Sequence, residues 1–444
     1  MKIDNQILKL ITKQYEKNNN SEFIPGKTYI PVTQKFIDKD DIINLTKSVL
    51  EAWFTSGHFY KEFEDAISNK IGSKARSLFV NSGSSTNLLA LSTLCQKNML
   101  EELKLDYLKP GDEIITAAAG FPTTINPIIQ NNLTPVFVDI NLDNLNVEID
   151  KIKKAFSKKT KGIMLAHTLG NPFRADLFKD FCQENSLFLI EDTCDAFGST
   201  INTLGKKKFA GSFGDFSTLS FYPAHHITTG EGGAVITSNK KLRRVAASVR
   251  DWGRHCWCDS GCDNTCKKRF NWKFENLPEG YDHKYIYGTL GYNLKATDMQ
   301  AALGCSQIKK LDKFIKIRKR NWNLLKNILT ENKLFKQNFD TISPTENTDP
   351  SWFGFAIICK KNINRSKLLK FLEYNKVGTR LLFGGNITSQ PAYKNLNYKI
   401  SGDLKNSNIV KDRLFWIGVH PNINSSHINY IVKILEEGLK KQIN

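Results

Sequence analysis

Asp215–Phe–Ser–Thr–Leu–Ser–Phe–Tyr–Pro–Ala–His225–His226–Ile–Thr–Thr–Gly–Glu–Gly–Gly233 is the segment on which the interpretation of this chain turns. It carries two adjacent imidazoles between a proline and a glycine-rich run. Imidazole takes up and releases a proton near neutral pH, so the pair is a candidate for acid–base chemistry. Upstream, apolar runs alternate with helical patterns. Strands are predicted at Leu78–Asn81, Glu113–Ala117, Pro135–Asp139, Gly162–Ala166 and Leu187–Glu191. Amphipathic helices are predicted between them at Thr86–Cys95, Pro122–Gln130, Ile149–Phe156 and Ala175–Asn185. Strands spaced by helices imply an α/β fold with a mostly parallel sheet covered on both faces.

Before this region, the first forty residues read as polar and irregular, with prolines at Pro25 and Pro31. Two helical patterns follow, Asp40–Trp53 and Tyr60–Ile71. A long helical pattern begins near Thr297 and runs, with a kink, to about Thr330. It leads to a smaller α/β unit with elements predicted at Trp352–Cys359, Ser366–Glu373 and Val432–Leu439. The expected division is an N-terminal arm at 1–39, a large cofactor-binding domain at 40–315 and a small C-terminal domain at 316–444.

At 444 residues the chain is long enough for two packed domains. A formal charge of +19 raises the question of nucleic acid. The lysines are spread thinly, often beside asparagine, without an arginine-rich stripe or a nucleic-acid fold signature. Nucleic-acid binding is therefore not expected. A solvated basic surface accounts for most of the charge, with a modest attraction for an anionic substrate. There is no basic leader with an apolar stretch at Met1–Asn20 and no long apolar run elsewhere. Neither secretion nor membrane spanning is expected, and the expected location is cytoplasmic. Nine cysteines in such a chain argue against a disulfide framework. Four of them, Cys256, Cys258, Cys262 and Cys266, crowd one short segment, which suits zinc or iron–sulfur.

Two further places carry chemistry. Val80–Asn81–Ser82–Gly83–Ser84–Ser85–Thr86 is a strand end, a small-residue turn and a helix start, whose free N–H groups and hydroxyls suit a phosphate. Asp192 ends a buried strand, where ligands bind in open α/β sheets. A carboxylate there pairs well with a pyridinium nitrogen and keeps it protonated.

In order, the phosphate turn, the aspartate, Ser–Phe–x–Pro–x–His and Gly–Glu–Gly–Gly resemble the DegT/DnrJ/EryC1/StrS family of sugar aminotransferases. That family has the fold type I, aspartate aminotransferase-like architecture. The resemblance runs from about Pro25 to Pro421. Trp53–Gly57, Ala119–Thr124, Arg250–Arg254, Glu279–Tyr285 and Leu290–Leu294 also carry it. Where the family has a lysine that holds pyridoxal phosphate (PLP) as a Schiff base, this chain has His225. An imidazole cannot form that bond, yet it still moves a proton. His225 and the cysteine segment together are similar to one branch, the iron–sulfur 3-dehydratases of CDP-linked 4-keto-6-deoxyhexoses.

The resemblance implies Gly83, Ser84 and Ser220 as phosphate ligands, Asp192 as partner of the ring nitrogen and Phe121 as the ring-stacking residue. It places Asn171 near the phenolic oxygen. It implies that Asn293 reaches the phosphate of a neighbouring subunit, and hence a homodimer. It also implies a two-iron, two-sulfide (2Fe-2S) cluster on Cys194, Cys256, Cys258 and Cys266. The span from Cys194 to Cys256 is a few residues longer than the pattern expects, which puts an insertion in the turn Ile201–Lys208. Cys262 is then a spare loop thiol, the local quartet remaining the alternative, and Cys95, Cys182, Cys305 and Cys359 read as buried small hydrophobes.

In the implied reaction the cofactor acts as the free amine, pyridoxamine 5'-phosphate (PMP), on a nucleotide-sugar substrate. His225 is the base, preferred over His226 because it aligns with the lysine. The 3-hydroxyl leaves and the cluster delivers electrons. These come from an NADH-dependent flavin iron–sulfur reductase or a ferredoxin, and the product serves lipopolysaccharide O-antigen. The competing readings are an ordinary sugar aminotransferase or cluster-free dehydratase, and a zinc-stabilised non-enzymatic relative.

Overall fold

Short apolar runs build the central sheet of this computed structural model, which describes residues 5–19, 22–72, 74–258 and 262–443. Seven strands form its body: β1 Arg76–Val80, β2 Glu113–Ala117, β3 Thr134–Val138, β4 Thr160–Ala166, β5 Phe188–Asp192, β6 Phe216–Ser220 and β7 Gly233–Thr237. Their spatial order is β1-β7-β6-β5-β4-β2-β3, with the two-residue strand Lys399–Ile400 added beside β3. All pairings are parallel except those of β7, which runs antiparallel to both β1 and β6.

Successive residues point to opposite faces of a strand, so a sheet covered twice buries both sets. Ile114, Met164 and Ile190 pack with Leu89, Leu94, Val245 and Val249 on one face. Ile115, Ile163, Leu165 and Leu189 pack on the other with Trp322, Trp352 and Phe355. Each fully buried aliphatic side chain contributes about 1.5–3 kcal/mol. The expected mostly parallel α/β sheet is present, and the five predicted strands lie within two residues of the observed ones. β6 and β7 were not among the predicted strands.

The pattern from Thr297 resolves into helix Asp298–Gln307, one 3-10 turn and helix Leu311–Glu331. Beyond it a small antiparallel sheet pairs Phe339–Thr341, Gly354–Cys359 and Leu414–Gly418. The stretch Ile201–Lys208 is a hairpin between Thr200–Thr203 and Lys206–Phe209, with Leu204 almost fully exposed at its tip. One expectation is corrected at the N-terminus. Asn5–Asn19 is helical, not irregular, and packs on helix Lys39–Leu50. Tertiary support supplies what its polar sequence lacks: the Tyr15 hydroxyl donates to the Ile37 carbonyl at 2.5 Å.

Candidate active site

β1, β5 and β6 run in the same direction, so the loops after Val80, Asp192 and Ser220 gather at one edge of the sheet. That edge is where open α/β sheets hold ligands. Asp192 ends β5 and is buried. Its Oδ2 accepts from Asn87 Nδ2 at 2.8 Å and from Thr124 Oγ1 at 2.7 Å, and its Oδ1 accepts from the Cys194 amide at 3.2 Å. Asn87 is in turn fixed by Thr218 Oγ1, which donates to its Oδ1 at 2.8 Å. Donors from three elements therefore hold this carboxylate in one orientation.

The small-residue turn forms the start of helix Gly83–Leu94, capped by Ser82, whose Oγ accepts from the Ser85 amide at 3.1 Å. Gly83 faces Ser220 so closely that a Cβ on it would lie 2.4 Å from Ser220 Cβ and 2.5 Å from Ser220 Oγ. Only glycine permits that approach, which brings the helix N–H groups and the Ser220 hydroxyl into one cradle. Ser84 is exposed beside it. This donor set fits a phosphate, and Asp192 fits the far end of a pyridine ring.

Phe121 precedes helix Pro122–Gln130, which carries Thr124, and leaves 46% of its surface open. An aromatic ring so exposed, one helical turn from a partner of Asp192, fits stacking on a flat cofactor. Asn293 is exposed, in a short antiparallel bridge with Asp251.

His225 lies in the loop that joins β6 to β7. Its Nδ1 is 3.4 Å from Asp195 Oδ1, and its ring tilts against Phe353 with centroids 5.2 Å apart. Burial pushes the Asp195 carboxyl above the ordinary carboxylate range, an effect that neighbouring His225 opposes. His226 differs: it is buried, and its Nε2 hydrogen-bonds with the Ser351 carbonyl at 2.9 Å. Burial, reinforced by Arg318, holds His226 well below the usual histidine range, so it stays neutral. His225 is the better base on this geometry. Arg318 is buried and anchors the loop: Nη2 donates to the His225 carbonyl at 3.3 Å, and Nη1 donates to the Trp352 and Phe353 carbonyls at 3.2 Å each.

One expectation changes. Asn171 is fully buried, and its side chain is already committed. Nδ2 donates to the Asn144 and Ser343 carbonyls at 3.0 and 2.9 Å, while Oδ1 accepts from the Thr345 amide at 2.9 Å and hydroxyl at 3.3 Å. It braces two loops, and these bonds leave it no group to offer a ring oxygen. Cys256, Cys258 and Cys266 come together as expected of three of the four ligands, with His283 beside them, and all four ligand atoms lie within 4.8 Å of one another. Cys194 stays at the end of β5, its amide tied to Asp192, and Cys262 is exposed.

Within that group the Cys258 thiol is drawn down to about 7. Burial raises it, but hydrogen bonds from the Thr265 side chain and the Cys266 amide outweigh that effect. Burial pushes Cys256 up to about 12. Asn87, Thr124, Asp195 and His283 were all missed as site residues. Asp195 follows Asp192 by three residues, and His283 lies in Glu279–Tyr285, so each stood beside or within a visible signal.

Residues 36–436 match the DegT/DnrJ/EryC1/StrS aminotransferase family. The chain belongs to that family. A dTDP-4-dehydro-2,6-dideoxy-D-glucose 3-dehydratase from Saccharopolyspora spinosa is 47% identical over 440 residues, covering 98% of this chain and 92% of the relative. The lipopolysaccharide biosynthesis protein RfbH of Salmonella typhimurium is 45% identical over 417 residues, covering 94% and 93%. Among solved structures, an E. coli GDP-4-keto-6-deoxy-D-mannose-3-dehydratase with bound hydrated PLP superposes with a TM-score of 0.79 at 27% identity, covering 92% of this chain and all of that one. The fold is the fold type I, aspartate aminotransferase-like architecture. No described helix is long and apolar enough to cross a membrane.

Proposed function

We propose that the chain is a PMP-dependent, iron–sulfur 3-dehydratase of a nucleotide-linked 4-keto-6-deoxyhexose, with CDP-4-dehydro-6-deoxyglucose as substrate. The observation that carries this reading is His225, an imidazole paired with Asp195 in the loop after Ser220. Without an amine at position 225 the usual transamination route is closed, which favours a dehydratase over an aminotransferase. The 3-dehydratase names of the relatives support it. Held by Gly83, Ser84, Ser220 and Asp192, PMP supplies a free amine for the keto carbon and an electron-withdrawing ring, and a 2Fe-2S cluster supplies single electrons. Asp192, fixed by three donors, keeps a proton on the ring nitrogen. Asp195 beside Nδ1 leaves Nε2 of His225 as the atom that takes the proton from the cofactor's methylene carbon. Phe121 covers the ring face and shields it from water.

The same reading draws electrons from an NADH-dependent flavin iron–sulfur reductase or a ferredoxin. It makes the enzyme a cytoplasmic homodimer in which Asn293 reaches the neighbouring subunit's phosphate. The Salmonella relative supports a place in lipopolysaccharide O-antigen synthesis. Proton exchange tests the assignment of the base. His225→Asn is expected to bind PMP yet lose exchange of its methylene proton with solvent, with loss of at least 100-fold in rate. If His226→Asn abolishes exchange and His225→Asn does not, the base is misassigned.

A further inference from the structure

A strap of chain, residues 380–400, crosses from the small sheet to the large one and carries an aromatic ring to the candidate site. It leaves the small sheet at Arg380, whose amide donates to the Trp416 carbonyl at 3.1 Å and whose carbonyl accepts from the Trp416 amide at 2.8 Å. It ends at the two-residue strand Lys399–Ile400 on the large sheet. Between these ends it lies along the loop that carries Phe121. The Ile387 amide donates to the Ala118 carbonyl at 2.9 Å, and the Gly384 amide to the Gly120 carbonyl at 3.4 Å. The Tyr393 hydroxyl donates to Asn126 Oδ1, in helix Pro122–Gln130. Ile387 and Tyr393 are buried with Ala118, Ile125 and Phe137 in a cluster of their own.

Phe383 sits on this strap one residue after Leu382, which is buried in the main core. Its φ is 45°, in the left-handed region that a bulky side chain rarely adopts. Such a conformation persists only where the surroundings over-determine it. The anchors at Leu382, Gly384 and Ile387 do so here, and the turn they force lays the Phe383 ring against Phe121. The two ring centroids are 5.8 Å apart with planes at 77°, the edge-to-face arrangement that aromatic quadrupoles favour. Phe383 is half-buried, while Phe121 stays exposed. A free phenylalanine ring turns about two side-chain bonds, and stacking on a flat ligand requires one of those orientations. A contact that holds the ring beforehand lowers the ordering cost of binding.

We propose that Phe383 is a positioning residue: through this edge-to-face contact it holds the Phe121 ring in the orientation that stacks on the cofactor's pyridine ring. The inference rests on the PMP reading above, with Phe121 as the stacking residue. An edge-to-face pair changes an equilibrium constant by about 2- to 12-fold, and loss of Phe383 weakens PMP binding by that factor. The effect runs through Phe121, so it disappears when Phe121 is removed.

The test is a double-variant cycle on the full-length protein, titrated with PMP and read by absorbance and by the circular dichroism of the bound cofactor. Phe383→Ala is expected to raise the Kd about 2- to 12-fold and to weaken the cofactor's dichroism at saturation, because the stacked ring is held less firmly. Phe121→Ala is expected to weaken binding more, and adding Phe383→Ala to it to change the Kd less than about two-fold. Phe383→Gly guards against a folding artefact: glycine suits a φ of 45°, so the ring is lost without backbone strain. It is expected to repeat the loss of affinity while unfolding in urea no earlier than Phe383→Ala. Phe383→Tyr keeps the ring and is expected to restore both readouts. Losses that add in the double variant overturn the proposal, as does wild-type affinity in Phe121→Ala or in both Phe383→Ala and Phe383→Gly, and each leaves the PMP-dependent reading standing. Wild-type protein that binds no PMP overturns both.

Discussion

Replacing Gly83 by alanine tests the phosphate cradle directly. The added Cβ would meet Ser220 Cβ at 2.4 Å, Oγ at 2.5 Å and Cα at 3.2 Å. Comfortable carbon contacts begin near 3.5 Å, so the helix start and Ser220 must separate by about 1 Å. Overpacking of this kind costs about 1–3 kcal/mol. Alanine is the better helix former, by up to about 1 kcal/mol, so propensity works against the clash and the net loss of fold stability is about 0–2 kcal/mol. Binding suffers more than folding. A hydrogen bond to a charged group contributes about 1.5–3 kcal/mol, and misaligning one raises the Kd for PMP about 10- to 150-fold. The assay is titration of the purified variant with PMP, followed by the cofactor's absorbance, with urea unfolding of the same preparation. Adding Ser220→Gly removes both colliding atoms, so the double variant is expected to regain stability while affinity stays low for want of the hydroxyl. Wild-type PMP affinity in Gly83→Ala refutes the reasoning, because the two segments would then not form one cradle.

Asn171→Ala is expected to lose about 1–3 kcal/mol in urea unfolding, since buried carbonyls lose their donor, while PMP affinity changes less than about two-fold. Ten-fold weaker binding with intact stability would return Asn171 to the cofactor. Burial holds His420 down to about 3, with its Nε2 hydrogen-bonded to the Pro31 carbonyl at 2.9 Å. The unfolded chain protonates this residue below about pH 6.5, and the folded chain does not until about pH 3. Its share of stability is therefore complete above about 6.5 and declines on acidification by about 1.4 kcal/mol per pH unit. His420→Gln flattens the stability curve between about pH 6 and 4 by that slope; parallel curves exclude the effect.

What was legible in the sequence depended on how far apart the interacting residues lie. β2 and β4 are nearly continuous apolar runs, and both were found. β6, Phe216–Ser220, is fully buried but built from serines and threonines whose hydroxyls find partners only in the folded sheet, so no hydrophobic pattern announced it. The N-terminal helix was missed because its support comes from Ile37, beyond the end of the helix itself. At the site, Asp192, Gly83 and Ser220 sat in segments whose order along the chain is distinctive. Asp195 and His283 acquire meaning only beside His225 and Cys256, which the chain reaches 30 and 27 residues away. Asn171 shows the converse. Its type suits a ring oxygen, and nothing local revealed that loops 144 and 343–345 had already claimed it.

The two-residue strand Lys399–Ile400 has a consequence for how the protein is made. It covers the outer edge of β3, pairing Lys399 with Val136, and Lys399 Nζ reaches the buried Glu113 at 2.6 Å. An uncovered edge is a template for pairing with other chains. During synthesis at about 5–20 residues per second, that edge waits roughly 15–50 s for its cover, because about 260 residues separate the partners. For that interval Glu113 also lacks its cation. The nascent chain is therefore most prone to aggregate after β3 emerges and before residue 400 does, and truncations ending short of that strand should need a chaperone even where the cofactor residues are all in place.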